Sequence, residues 1–319
     1  MPLLILVGCA PSDESAKEGR TSRLLLVEID KSDPERLLRY HFGAYAAPEG
    51  ADPFETGLLV KREEGGFAID VNALERLQPG TADVLQDTDG DGALGWKELE
   101  AFLQATYYDV RDLPPTLADL QKEAPYLGDT PPWFHVELDG VMTTARRHIY
   151  VPEDALRSAL AGYRENGETL IYPVGTTIVG EHHLDGARVE TTAMQKRADG
   201  FWDFFTYDAD GRLAKHTSTP PRDLKTPTQC VGCHTGKKPF EPERSFPEEA
   251  LPGPHGPRAF YIDDALRDPE LTAFFDEHRK RSDTVLGIYN TLFVAWLRAD
   301  RRAGRLGEAD VRLLEGLGL

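Results

Sequence analysis

Two stretches of this chain set residue types at spacings that could do chemistry. In the first, Thr228–Gly236 reads TQCVGCHTG, so Cys230 and Cys233 stand three positions apart and His234 follows directly. Two thiols at this spacing can each form a thioether to a haem vinyl group, and the adjacent imidazole is thereby placed to ligate the iron axially. The motif predicts one covalent haem c, held by Cys230 and Cys233, with His234 on the iron. A dithiol redox pair is a competing reading, but it asks for a helix N-terminus after a βαβ pattern. Here Pro227 and lysines surround a stretch that reads as irregular. A structural zinc site is the other; it needs four ligands, and the chain has no further Cys-x-x-Cys and no His-x-x-x-His.

The second stretch, Asp87–Glu98, reads DTDGDGALGWKE. Acids at loop positions 1, 3 and 5, glycine at 6, an apolar residue at 8 and glutamate at 12 match the EF-hand pattern. Hard oxygen donors would converge on one Ca²⁺: Asp87, Asp89 and Asp91 by side chain, Ala93 by its carbonyl, Glu98 in bidentate fashion. Gly92 permits the sharp turn, and Gly95 leaves position 9 to water. Pro79-Gly80 leaves only Thr81–Gln86 for an incoming helix, and the chain offers no partner loop. Asp208–Gly211 (DADG) looks similar but has Thr219 where the glutamate belongs, so it reads as a hairpin turn. A lone loop of this kind fits an affinity of roughly 10⁻⁴–10⁻³ M and a structural role.

The third cysteine lies in a different setting. The apolar run from Met1 ends in Leu6-Val7-Gly8-Cys9 and is too short to span a bilayer. Small residues before a cysteine resemble the bacterial lipobox, which implies a signal peptide, lipid on Cys9 and a polar tether through about Arg23. The other reading is an N-terminal strand with a buried cysteine. Lipidation implies a lipoprotein of the bacterial cell envelope that faces the periplasm, on the outer membrane rather than the inner. Cysteines outside the cytoplasm are usually paired or otherwise committed, and a haem would use the two that remain. The formal charge of −18, from 54 acidic and 36 basic residues, repels phosphate backbones and argues against nucleic acid. A redox partner protein, a cation or a small ligand fits better.

The elements that must position these motifs read as a mixture. LLLVEID and GLLVKREEGGFAID alternate like strands, and helical spacing follows at Val71–Leu77 and Trp96–Val110. A Pro-rich stretch reads as a linker ending near Pro132. PWFHVEL, TARRHIYV and the alternating Thr169–Tyr207 then predict an antiparallel sheet, interrupted by a short helix over DALRSALAGYR. Near the C-terminus Val285, Ile288, Tyr289, Leu292, Phe293, Trp296 and Leu297 form one helical stripe. The fold class expected is α+β: an antiparallel haem domain with helical additions, preceded by a mixed α/β region carrying the loop. The boundaries expected are 1–22 signal and tether, 23–132 calcium-loop region, 133–253 haem domain and 254–319 C-terminal helices.

Around the cysteine motif the order YPVGTTIVGEH, AMQKRADGFWDFFTYDADG, CVGCH resembles the cytochrome P-460 family, which includes cytochrome c′-beta. The resemblance covers roughly Leu170–Gly236. It implies a small antiparallel β-fold holding one five-coordinate or weakly six-coordinate haem, with Cys230 and Cys233 on the porphyrin and His234 proximal. Members that oxidise hydroxylamine carry a haem-linked lysine at the position of Gly180, so its absence counts against that activity. They also use a distal carboxylate shortly before the motif; Asp223 is the nearest acid, and the role is not carried over to it. Alternate strand residues share a face, so a haem facing Gly180 would also face Ile178 and His182. His182 is therefore the distal candidate, as ligand or proton donor, with a solvated strand-end histidine as the plain alternative. His183, Met194, Lys215 and His216 are weaker candidates.

These readings converge on a lipid-anchored monohaem cytochrome that binds calcium and carries single electrons or binds a diatomic such as nitric oxide. If it is an enzyme, it is a haem oxidoreductase acting on hydroxylamine or peroxide. A third reading is a calcium-dependent scaffold lipoprotein with a Cys/His zinc site.

Overall fold

The computed structural model describes residues 23–30, 33–139, 145–219, 223–231, 269–278 and 284–319. Cys9, Cys233 and His234 lie outside the described residues.

Short apolar runs punctuated by glycine pairs build a small sheet first. It contains β1 (Leu24–Val27), β2 (Leu59–Lys61), β3 (Phe67–Asp70) and β4 (Ala93–Leu94), in the order β2-β3-β1-β4. β1 runs antiparallel to β3 and parallel to β4. Around it lie α1 (Pro34–Gly43), α2 (Val71–Leu77), α3 (Trp96–Arg111) and α4 (Leu117–Glu123). α1 starts where Asp33 caps the Arg36 amide and Pro34 supplies a preset φ. α4 falls inside the stretch expected as a linker. Leu117, Leu120 and Tyr126 are buried there, so this segment is part of the core.

The larger sheet is antiparallel and six-stranded: β5 (Trp133–Asp139), β6 (Arg146–Pro152), β7 (Thr177–Leu184), β8 (Ala187–Lys196), β9 (Trp202–Tyr207) and β10 (Leu213–Ala214). The strand alternation expected from Thr169 begins only at Thr177. Pro173 has no amide to donate and Gly175 turns the chain at φ +83°, so before Thr177 only the Gly175 amide and the Thr176 carbonyl bond to β8, both at Lys196. The DADG hairpin turn forms as read, with the Gly211 amide donating to the Asp208 carbonyl at 3.0 Å.

Both faces of this sheet are covered. One face presents Ile149, Val151, Ile178, Met194 and Phe204 to α5 (Glu153–Ala161), α6 (Pro269–His278), α7 (Thr284–Arg302) and α8 (Glu308–Leu317). The other presents Val179, Ala193, Phe205 and Tyr207 to α3, α4 and the small sheet. α1 serves both clusters, with Leu37 and Tyr40 in the first and Leu38 and Phe42 in the second. The class is α+β, as expected, with the large sheet as the shared wall.

Apolar burial decides how the C-terminal helices dock. The Arg157–Asp310 pair between α5 and α8 is partly exposed, at 2.8 Å, and such pairs are worth about 0–1 kcal/mol. Burying Leu314 and Leu317 contributes about 1.5–3 kcal/mol each. No helix among the described residues is long and apolar enough to cross a membrane.

Candidate cofactor-attachment and calcium sites

The segment leading to Cys230 is held at two levels. Locally, residues 215–217 pair with 224–226: the Thr226 amide donates to the Lys215 carbonyl at 3.0 Å, and Thr217 to Leu224 at 2.9 Å. The chain then winds into a helical turn. The Cys230 amide donates to the Pro227 carbonyl at 3.1 Å and the Gln229 amide to Lys225 at 2.9 Å. This differs from the irregular stretch expected, because Pro227 suits the first turn of a helix. The neighbouring strands are antiparallel, so the βαβ setting of a dithiol redox pair is absent among the described residues.

At the second level, α3 grips this segment with residues four apart. Glu100 accepts from Thr228 Oγ1 at 3.1 Å and pairs with Lys225 Nζ at 2.5 Å. Gln104 Nε2 donates to the Thr226 carbonyl at 2.5 Å, and Tyr108 OH donates to Ala214 O at 2.7 Å. Burial pushes the Tyr108 phenol up, so it stays a neutral donor. The i, i+4, i+8 spacing places all three on one helix face.

Cys230 is half-buried at the margin of the first apolar cluster, and Val231 beside it is buried. Tyr40 donates to the Trp202 carbonyl at 2.9 Å. Burial raises its phenol, and Tyr40 belongs to the same apolar cluster that Cys230 packs against. The next residue, His41, is 2% exposed, with its ring centroid 4.8 Å from that of Tyr40 and 5.7 Å from that of Trp96. Burial, then the Arg197 charge, holds His41 well below the usual imidazole range, so it is neutral. No sequence signal points to it: an imidazole in LLRYHFGAY carries no motif.

His182 is buried on the same sheet face as Ile178 and Gly180, as alternation requires. Its Nε2 lies 3.3 Å from Thr192 Oγ1 and its Nδ1 3.4 Å from Thr219 Oγ1. Glu190, 1% exposed, stands 3.7 Å from His182 Nδ1. Its other oxygen accepts from the Ser218 and Thr219 amides. Both ring nitrogens of His182 thus face protein hydroxyls, which orient the imidazole in its buried place. A Cβ on Gly180 would meet Ile149 Cδ1 at 3.0 Å and Thr192 Oγ1 at 3.1 Å, so the position is tightly packed. Met194 packs in the first cluster. His183 Nε2 lies 3.3 Å from Glu181 Oε2 on the opposite face. Lys215 and His216 are exposed, and His216 Nδ1 lies 3.1 Å from Asp223 Oδ1.

Burial, then the Arg147 and His183 charges, lowers the His182 pKa from 6.5 to about 3. Below pH 6.5 the unfolded chain binds a proton there that the folded chain refuses, so stability falls as pH drops through this window. The loss attributable to His182 is about 2 kcal/mol at pH 5. Burial raises Glu190, which acts in the opposite direction, so the informative quantity is a difference. Urea denaturation at pH 7 and pH 5 should show His182→Gln losing about 2 kcal/mol less than wild type. Parallel pH profiles would contradict this.

In the aspartate loop the carboxylates already turn inward. Asp87 accepts from the Gly90 and Gly92 amides at 2.7 and 2.9 Å, and Asp91 from Ala93 at 2.9 Å. Glu98 folds back to accept from Thr88 N at 2.5 Å and Gly95 N at 2.8 Å. Oxygens of Asp87, Asp89 and Asp91 lie within 4.8 Å of one another. Gly92 takes φ +91°, which a Cβ would strain. On Asp89 the largest influence, the hydrogen bond from the Asp91 amide, lowers the pKa. Desolvation and the three neighbouring carboxylates outweigh it, and the net direction is up. The incoming arm is only a 3-10 turn, Ala82–Val84. In place of a partner loop stands β1, whose Leu26 and Val27 pair with Ala93 and Leu94.

The chain matches no protein-family model, no curated protein and no solved structure.

Proposed function

We propose that this chain is an exported, lipid-anchored monohaem c-type cytochrome of the P-460 kind, stabilised by one calcium ion. Cys230 and Cys233 would hold the porphyrin, His234 would ligate the iron, and Cys9 would carry the lipid. The observation that supports this most is the placement of Cys230: half-buried, in a helical turn, against an aromatic and aliphatic cluster of the kind a porphyrin needs. Haem iron supplies reversible one-electron chemistry and an axial position for a small diatomic ligand.

The chain's own residues prepare that environment. α3 fixes the approach to the cysteines through Glu100, Gln104 and Tyr108. Burial keeps His41 and His182 neutral, and His182 stays the distal candidate, with Glu190 3.7 Å from its Nδ1. Glycine at position 180, in place of a haem-linked lysine, favours electron transfer or ligand binding over hydroxylamine oxidation.

Calcium would bind Asp87, Asp89, Asp91, Glu98 and the Ala93 carbonyl. The loop leads through Gly95 into α3, so the ion would brace the helix that grips the attachment segment. The test is the alkaline pyridine spectrum of protein matured with export and haem-attachment machinery. A thioether-haem band is expected in wild type and a changed or lost band in Cys230→Ser; an unaltered variant spectrum, or none in wild type, would remove the haem reading.

A further inference from the structure

The free edge of the large sheet carries a cluster that neither motif uses. His135 and Glu137 are two apart on β5 and so share a face, and β6 places His148 directly opposite Glu137. His135 Nε2 lies 3.3 Å from His148 Nδ1, and Glu137 Oε1 lies 3.9 Å from that same nitrogen. One ligand atom from each residue falls within a 4.8 Å span.

We propose that His135, His148 and Glu137 form a binding site for one divalent transition-metal ion of the zinc or copper class, separate from the calcium loop and from the cysteines. Imidazole nitrogens with a carboxylate oxygen are the donor set these ions prefer. Tetrahedral zinc with bonds near 2.05 Å sets two nitrogens about 3.3 Å apart, and the two rings already hold theirs at 3.3 Å. The rings are stacked 20° apart, so their in-plane lone pairs run side by side, and a turn about χ2, a soft torsion in histidine, is what would bring both onto one ion. The platform beneath is fixed. Tyr150 stacks on His135 with centroids 4.6 Å apart, and the His183 ring lies 4.4 Å from His148 with its Nε2 turned toward Glu181. Arg146 holds Glu137 Oε2 at 2.5 Å and leaves Oε1 on the side of His148. Three protein ligands leave a fourth position for water, so the site would be open to an exchangeable ligand.

Calorimetric titration of the full chain with Zn²⁺, in saturating Ca²⁺ to occupy the aspartate loop, tests this. One equivalent per chain is expected. Affinity should fall at least tenfold in His135→Gln and in His148→Gln, and stay unchanged in His216→Gln. Circular dichroism checks that each variant is folded; any that is not is replaced by Glu137→Gln, which should show the same loss. Absence of stoichiometric binding in wild type, or equal binding in the histidine variants, overturns the proposal. So does binding that vanishes only in Cys230→Ser, since that would place the ion on the cysteines.

Discussion

Asp203→Ala is expected to destabilise the fold by about 3–5 kcal/mol, the range for breaking a buried ionic network by removing one member. Asp203 sits on β9 and is 1% exposed. Arg111 of α3 grips it in a fork, Nε at 3.0 Å and Nη2 at 2.8 Å to Oδ2. Tyr107 OH donates to Oδ1 at 2.5 Å, and Arg197 Nη1 stands 3.6 Å away. Arg197 is itself 2% exposed and donates to the Tyr40 carbonyl at 2.7 Å. Burial works against the Arg197 charge, and the charges of Asp203 and Asp199 more than restore it. Removing Asp203 leaves two guanidinium groups short of one counter-charge in the wall between α1, α3 and the sheet. Exposed pairs give a comparison: Arg212→Ala removes a surface contact with Asp210 worth about 0–1 kcal/mol. Urea unfolding of both variants separates the cases, and an Asp203→Ala loss no larger than that of Arg212→Ala would refute the network's importance.

Calcium removal is expected to have the second-largest effect. For an affinity near 10⁻⁴ M, raising free Ca²⁺ from chelated levels to about 10 mM stabilises the fold by about 2.7 kcal/mol. The loop's carboxylates crowd one another without a cation, and Glu98 closes the loop onto Thr88 and Gly95. Ala93 and Leu94 tie the loop to β1, and Trp96 begins α3, so the ion's contribution spreads into both. Glu98→Gln should abolish the calcium-dependent rise in melting temperature. Chelation should also increase hydrogen exchange at the Thr226 and Cys230 amides, because α3 holds that segment. A melting temperature indifferent to calcium in wild type would refute the site; a calcium effect without any change in exchange would refute the link to the attachment segment.

Local chemistry is legible in the amino-acid sequence, whereas non-local pairing is not. The aspartate loop, the α3 helix and the DADG turn are each written in a dozen or so contiguous residues, because turn glycines and carboxylate spacing act locally. The α1 helix is also written locally, in Asp33-Pro34-Glu35, but no motif marks it. Alternation over Leu170–Thr176 misleads, since period two describes side-chain polarity and says nothing of Pro173's missing donor. The β1–β4 pairing joins residues almost seventy apart and cannot be read from either strand. His135 and His148 meet only because the β5–β6 register sets Glu137 opposite His148. His41 is buried with Trp96 of α3 against its ring, which no pattern within α1 announces.

The central claim is a covalent bond between this chain and a porphyrin. Intact-mass measurement of exported, fully matured protein tests it most directly. The account predicts the polypeptide mass plus one haem, retained under denaturing conditions and lost when both Cys230 and Cys233 are replaced by serine. A wild-type mass with no tetrapyrrole added would contradict it.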